Sequence, residues 1–106
     1  MKYFCRKNEL CGTDCHEFFS GKWDGTFWND NSVYIYDEDY RLTGLRHMIS
    51  RVVEEYSPYE DTEIYPEDWE KICAEARHTA CDALDEISKW VKNAFEEHGM
   101  FTILGI

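Results

Sequence analysis

Residues 17–37 read EFFSGKWDGTFWNDNSVYIYD, in which three aromatic-rich runs are separated by turn-forming residues. Asp24-Gly25 lies between two of these runs, and this dipeptide favours a tight hairpin turn because such turns require a positive φ. Residues 33–36 alternate β-branched residues with tyrosines, which is typical of a strand with two different faces. The segment therefore predicts a small antiparallel sheet built as a hairpin and meander.

The aromatic side chains of this segment have two possible uses. Rings on a sheet face can stack on unpaired RNA bases, but acidic residues flank these rings and Lys22 is the single basic residue among them. We therefore expect the rings to pack in the core and on the sheet, and they are Phe18, Phe19, Trp23, Phe27, Trp28, Tyr34 and Tyr36.

Outside this segment, residues 2–5 and 100–104 are further strand candidates, and most of the remaining chain is predicted to be helical. The first helical segment begins at Asp37 or Asp39, either of which can cap it, and extends to about Tyr56 with apolar residues at helical spacing. A proline two residues later ends it, because the residue before a proline avoids the helical region.

The second helical segment begins at Pro66, which suits a first helical turn, and stops at Gly99. A continuous helix of about 32 residues would be about 48 Å long, whereas a compact chain of this size has a radius of gyration of about 13 Å. The helix therefore either breaks near His78-Thr79 or projects towards a partner. The predicted fold for residues 1–106 is a single α+β domain, a small antiparallel β-sheet packed against two helices of which the second is long.

Composition places the chain among soluble proteins. Hydrophobic residues make up 43% of its 106 residues, which is too many for a disordered chain despite the formal net charge of −11. No apolar run approaches the roughly 20 residues that span a bilayer, and the first residues lack the apolar stretch of a secretory signal. We expect a cytoplasmic protein.

The negative charge is concentrated in the second half. Residues 1–51 carry 8 acidic and 7 basic side chains, whereas residues 52–106 carry 14 acidic and 4 basic ones. Direct contact between this half and nucleic acid is disfavoured, because such binding depends on lysine and arginine neutralising phosphates. A basic protein surface would instead be attracted.

Carboxylates and aromatic rings are interleaved between residues 54 and 70, with no lysine or arginine among them. Carboxylates accept paired hydrogen bonds from a guanidinium, and aromatic faces attract cations. The alternative is an acidic face that is merely solvated. We predict an exposed loop over residues 58–65, and the candidate partner-binding residues are Glu54, Glu55, Tyr59, Glu60, Asp61, Glu63, Tyr65, Glu67, Asp68 and Glu70.

The leading hypothesis is a small acidic inhibitor that occupies the basic, nucleic-acid-binding surface of a target enzyme or effector. In size and charge the chain resembles the small acidic antagonists of phages and bacteria, namely anti-CRISPR proteins, nucleic-acid mimics and toxin-neutralising immunity proteins. The sequence contains no glycine-rich phosphate loop and no nucleophile-elbow serine. We expect a protein that is not an enzyme, with no catalytic residues, metal or cofactor and no membrane or direct nucleic-acid partner.

A small zinc-binding or thiol module is the first alternative. Cys5, Cys11, Cys15 and His16 lie within twelve residues and offer the four soft or imidazole ligands that zinc prefers. Their spacing, C-x5-C-x3-C-H, lacks the paired C-x2-C arrangement of structural zinc sites.

A helical homodimer is the second alternative. Cys73, Ala80, Ile87 and Ala94 are seven residues apart, which is the spacing of a coiled-coil seam. Packing of the same stripe on the first helix is the simpler interpretation, since its alanines permit close approach.

Overall fold

The computed structural model describes residues 1–105, and five strands in it form one antiparallel sheet. The spatial order of the strands is β1-β3-β2-β5-β4. The predicted strands near both termini and at residues 33–36 are present, and one short strand was not predicted. The strands are β1 (Phe4–Cys5), β2 (Cys15–Ser20), β3 (Val33–Tyr36), β4 (Thr62–Ile64) and β5 (Phe101–Leu104).

The hairpin predicted around Asp24-Gly25 is wrong, because β2 pairs directly with β3 and residues 21–32 form the loop that joins them. A turn does exist there. Gly25 has a φ of 92°, and Asp24 Oδ1 accepts hydrogen bonds from the Thr26 backbone N–H at 3.0 Å and the Thr26 hydroxyl at 2.6 Å. Trp23 Nε1–H also donates to the Thr26 carbonyl at 2.7 Å. All three hydrogen bonds lie within residues 23–26, and no strands extend from this turn.

Each predicted helical segment is present but divided in two, giving α1 (Asp37–Leu42), α2 (Leu45–Val52), α3 (Pro66–Glu75) and α4 (Asp82–His98). Gly44, with a φ of 84°, separates α1 from α2. The long second segment breaks at residues 76–81, which confirms the first of the two outcomes that its length allowed. No helix within the described residues is long and apolar enough to cross a membrane.

The helices pack on one face of the sheet, and the α+β class predicted from the sequence is confirmed. Phe18 and Phe101 stack at the centre of this face with ring centroids 5.6 Å apart. Trp69 from α3 and Trp90 from α4 each approach Phe101 edge-on. Burying one such ring contributes about 1.5–3 kcal/mol, so this aromatic cluster helps to attach the helices to the sheet. Breaking both helical segments keeps the molecule compact, with a radius of gyration of 12.5 Å.

Candidate functional site

Four of the predicted partner-binding carboxylates lie together in one cleft, which we call the acidic cleft. Its volume is about 290 Å³, and it lies where the chain leaves α2, passes through β4 and enters α3. The side chains that line it include Val53, Glu55, Asp61, Glu63, Tyr65 and Asp68.

Two hydrogen bonds fix the side of the acidic cleft that Glu63, Tyr65 and Asp68 form. Asp68 Oδ2 accepts from the Tyr65 backbone N–H at 3.0 Å, which caps α3, and the Tyr65 hydroxyl donates to Glu63 Oε1 at 2.8 Å. The hydrogen bond to the Glu63 carboxylate raises the pKa of Tyr65. The tyrosine therefore stays a neutral donor, and it holds one carboxylate of the cleft in a defined position.

The carboxylates of the acidic cleft form no ion pair with a cation of residues 1–105. None of the ion pairs formed among residues 1–105 involves an acidic residue between positions 54 and 70. Like charges gathered in this way repel one another. A basic partner that bound here would reduce this repulsion between the carboxylates.

A second depression adjoins the acidic cleft, and we call it the aromatic groove. It has a volume of about 320 Å³ and shares Asp61 with the cleft. Phe27 is 54% exposed and Tyr59 is 77% exposed, so two large rings are accessible to solvent. The groove is lined mainly by Trp23, Phe27, Tyr59, Glu60, Asp61 and Leu104.

A buried carboxylate holds the loop that carries Phe27. Glu17 is only 4% exposed, and it accepts hydrogen bonds from the Trp28 backbone N–H at 2.7 Å and the Ser32 hydroxyl at 2.6 Å. Asn29 donates to the same carboxylate through its backbone N–H and its side-chain amide. Trp28 has a φ of 64°, and such strain costs about 1–3 kcal/mol and persists only where surrounding contacts impose it. Here the hydrogen bonds from Trp28 and Asn29 to Glu17 hold Trp28 in this backbone conformation.

The backbone beneath Tyr59 is fixed by close packing against the end of β5. A Cβ atom added at Gly105 would lie 2.5 Å from the Glu60 nitrogen and 2.7 Å from the Pro58 carbonyl oxygen. Only a residue without a side chain fits this contact. The segment that carries Tyr59 and Glu60 is therefore attached to the sheet.

The structure does not gather all ten predicted residues in one place. Glu70 lies in a different depression, of about 410 Å³, between α3 and α4. Glu54 and Glu67 are exposed and line neither the acidic cleft nor the aromatic groove. The exposed loop predicted over residues 58–65 is wrong in part, because Thr62–Ile64 pairs with β5 as an edge strand and leaves Glu63 half-buried.

The aromatic groove contains residues that the sequence analysis assigned to packing. Phe27 was expected to pack in the core or on the sheet, but it is exposed. Trp28, outside the groove, is 38% exposed and does stack on Tyr34 of β3, with ring centroids 5.8 Å apart. The missed signal is the density of glycine, asparagine and aspartate over residues 21–31, which is typical of a loop.

The zinc alternative receives no geometric support. Cys15 and His16 are neighbours on β2 and so point to opposite faces of the sheet. Burial raises the pKa of Cys15 to about 11, whereas zinc binds the thiolate. Within the described part of the chain, no three His, Cys, Asp or Glu side chains are placed to hold a metal ion. Metal analysis of the purified protein remains the test of this alternative.

The heptad seam of the homodimer alternative does not lie on one helix. Residues 76–81 separate α3 from α4, and Ile87 and Ala94 are buried in the core. Homodimer formation itself stays a prediction.

Comparison with protein-family models, curated proteins and solved structures finds no match for this chain. The fold and the site together define an α+β protein whose acidic cleft is joined to an aromatic groove. The function is argued from that surface.

Proposed function

We propose that this protein is a small acidic inhibitor that binds the basic, nucleic-acid-binding surface of a target protein and excludes nucleic acid from it. The observation that carries the proposal is the set of carboxylates in the acidic cleft that form no ion pair with any lysine, arginine or histidine of residues 1–105. A surface that binds nucleic acid presents lysine and arginine to phosphates. Carboxylates form the same charge-assisted hydrogen bonds with those side chains.

The aromatic groove supplies the apolar part of the proposed interface. Interfaces derive most of their affinity from a few anchors, and these are enriched in tryptophan, tyrosine and arginine. Phe27 and Tyr59 are exposed beside Asp61, so apolar anchors and charges lie within one continuous surface. A solvated acidic face with no partner would not require exposed rings of this size.

Charge also governs how quickly such an inhibitor finds its target. Complementary potentials accelerate association by about 10–10³-fold at low salt. Screening limits their range to about 8 Å at physiological ionic strength. We expect the association rate to fall steeply with added salt, while the aromatic contacts sustain a residual affinity.

The experiment compares two variants with the same charge. Glu55→Lys with Asp61→Lys reverses two acids of the cleft, and Glu96→Lys with Glu97→Lys reverses two exposed acids near the end of α4. The wild-type protein first captures its target from a lysate, and the purified target is then titrated with each variant. We expect the cleft variant to lose at least about 100-fold in affinity and the α4 variant less than about 3-fold, since only the former removes the proposed charge-assisted contacts.

A displacement assay completes this test. The target is loaded with a fluorescent oligonucleotide, and the wild-type protein is added. Release of the oligonucleotide is expected, with none produced by the cleft variant. Equal affinity of both variants, or a target that keeps its oligonucleotide while bound, would contradict the proposal.

A further inference from the structure

We propose that the aromatic groove is a binding site for an organic cation, and that its occupant is the guanidinium of an arginine side chain carried by the partner. The inference deepens the proposed function, on which the identity of the partner as a basic protein rests. It follows from three properties of the groove, namely its ring faces, its carboxylates and its rigidity.

Two rings of the groove, those of Trp23 and Phe27, are in contact with each other. Their centroids are 4.8 Å apart and their planes are inclined by 58°, so the contact is tilted and the two rings do not cover each other as a parallel stack would. Tyr59 lines the same groove, on the segment attached to β5. The cation–π pair formed within residues 1–105 is Lys2 over Tyr3, so no cation of the described chain occupies these rings.

Two carboxylates complete the groove. Glu60 and Asp61 line it, both are exposed, and neither belongs to an ion pair of residues 1–105. A guanidinium is planar and weakly hydrated, so it stacks on a ring while its edge donates paired hydrogen bonds to a carboxylate. An ammonium is compact and strongly hydrated, and it has neither a planar face to stack on a ring nor a paired donor edge for a carboxylate. This combination of rings and carboxylates therefore favours arginine over lysine.

The groove is formed before any partner arrives. Trp23 is held by the hydrogen bond from its indole N–H to the Thr26 carbonyl, and the following residues are held by Glu17 through Trp28 and Asn29. A site that is already ordered loses little conformational entropy on binding. Even an isolated arginine derivative should therefore bind measurably.

The test is an NMR titration of the intact protein with three small probes. The reporter is the indole N–H resonance of Trp23, assigned with a Trp23→Phe variant. N-acetyl-arginine amide is expected to shift it saturably, with a dissociation constant of about 1–10 mM. N-acetyl-lysine amide should bind at least about 5-fold more weakly, because it gains the charge attraction without the stacking. N-acetyl-leucine amide tests a purely apolar site, and binding of this probe equal to that of the arginine amide would overturn the proposal.

Matched variants separate the groove from the general negative field. Glu60→Gln with Asp61→Asn removes two charges inside the groove, and Glu54→Gln with Glu67→Gln removes two outside it. We expect the first pair to weaken arginine-amide binding about 10-fold and the second pair less than about 2-fold. Equal weakening by both pairs would show that net charge alone attracts the probe, and the site would be rejected. Tyr59→Ala, at an exposed side chain, should also weaken binding.

The two proposals fail in distinguishable ways. Suppose that the arginine amide left the Trp23 resonance unmoved while Glu55→Lys with Asp61→Lys abolished binding of the target. Only the inference about the groove would then be lost. Were the arginine amide to bind as expected and the captured target to keep its nucleic acid, the inhibitor hypothesis would be lost and the cation site would stand.

Discussion

At the scale of single residues, Glu17 determines how the 21–32 loop is presented. Its buried carboxylate accepts four hydrogen bonds, from Trp28, twice from Asn29 and from Ser32. Each bond reaches the loop that carries Phe27, so this buried acid on β2 supports a ring of the aromatic groove on the surface. Sequence alone identifies Glu17 as one acid among many, because the four donors come from residues that lie 11 to 15 positions away.

Replacing Glu17 with glutamine tests this role. One acceptor oxygen becomes an NH₂ group that faces donors, so a buried hydrogen bond is lost and a donor is left unsatisfied. We expect Glu17→Gln to lower the free energy of unfolding by about 1–3 kcal/mol, measured by urea denaturation. Glu38→Gln, at an exposed acid on α1, should change it by less than about 0.5 kcal/mol. Equal effects of the two substitutions would mean that the bonds to Glu17 do not stabilise the fold.

The Asp37 carboxylate lies 2.8 Å from the buried His16 Nε2 and 2.9 Å from Arg41 Nε. The hydrogen bond to His16, aided by Arg41, holds the pKa of Asp37 below its ordinary value of 3.8. A depressed folded-state pKa means that the stabilisation is complete above the unfolded-state value and is lost as pH falls through the folded-state value.

The free-energy difference between the wild-type protein and Asp37→Asn should therefore be largest above about pH 5, and it should shrink as the pH falls below about 4. The measurement is the free energy of unfolding in urea at a series of pH values. A difference that stayed constant over this range would show that ionised Asp37 adds nothing to stability beyond what the amide provides.

At the scale of elements, the structure differs from the sequence interpretation where a local pattern competes with tertiary pairing. The pattern of Val33–Tyr36 is strong and gave the correct strand. Thr62–Ile64 is only three residues long, lies in an acidic run and has a single paired edge, so nothing local marks it as a strand. Asp24-Gly25 does form a turn, but β2 pairs with β3 across the whole loop instead.

The contact between β5 and the Tyr59 segment is an element-scale feature with a measurable consequence. Gly105→Ala places a methyl group against the backbone of Pro58 and Glu60, and we expect a loss of about 1–3 kcal/mol of unfolding free energy. The same change should displace Tyr59 and weaken binding of N-acetyl-arginine amide. Gly44→Ala is the control, since its Cβ meets no atom within 4 Å and it costs about 1 kcal/mol through its positive φ alone. If Gly44→Ala also weakened binding of N-acetyl-arginine amide, this explanation would be contradicted.

At the scale of the whole molecule, composition predicted the acidic half but not the surface that it forms. The run from residue 54 to residue 70 identified the carboxylates. Which of them converge depends on β4 pairing with β5, which brings Glu55 and Asp68 to one cleft across 13 positions of sequence. The aromatic groove combines residues from the 21–32 loop with residues from the 58–61 segment. No local pattern contains that combination, and only the tertiary structure reveals it.

The net charge of −11 predicts that salt has opposite effects on folding and on binding. Salt screens the repulsion within the acidic cleft, because the screening length falls from about 30 Å at 0.01 M to about 8 Å at 0.15 M. The melting temperature of the free protein should therefore rise by a few degrees over this range, while its affinity for a basic partner falls. The melting temperature of the cleft variant, Glu55→Lys with Asp61→Lys, should depend less on salt than that of the wild-type protein. The melting temperature of the α4 variant, Glu96→Lys with Glu97→Lys, should keep more of the wild-type salt dependence. If thermal denaturation gave the same salt dependence for both variants, the repulsion would belong to the chain as a whole and not to the cleft.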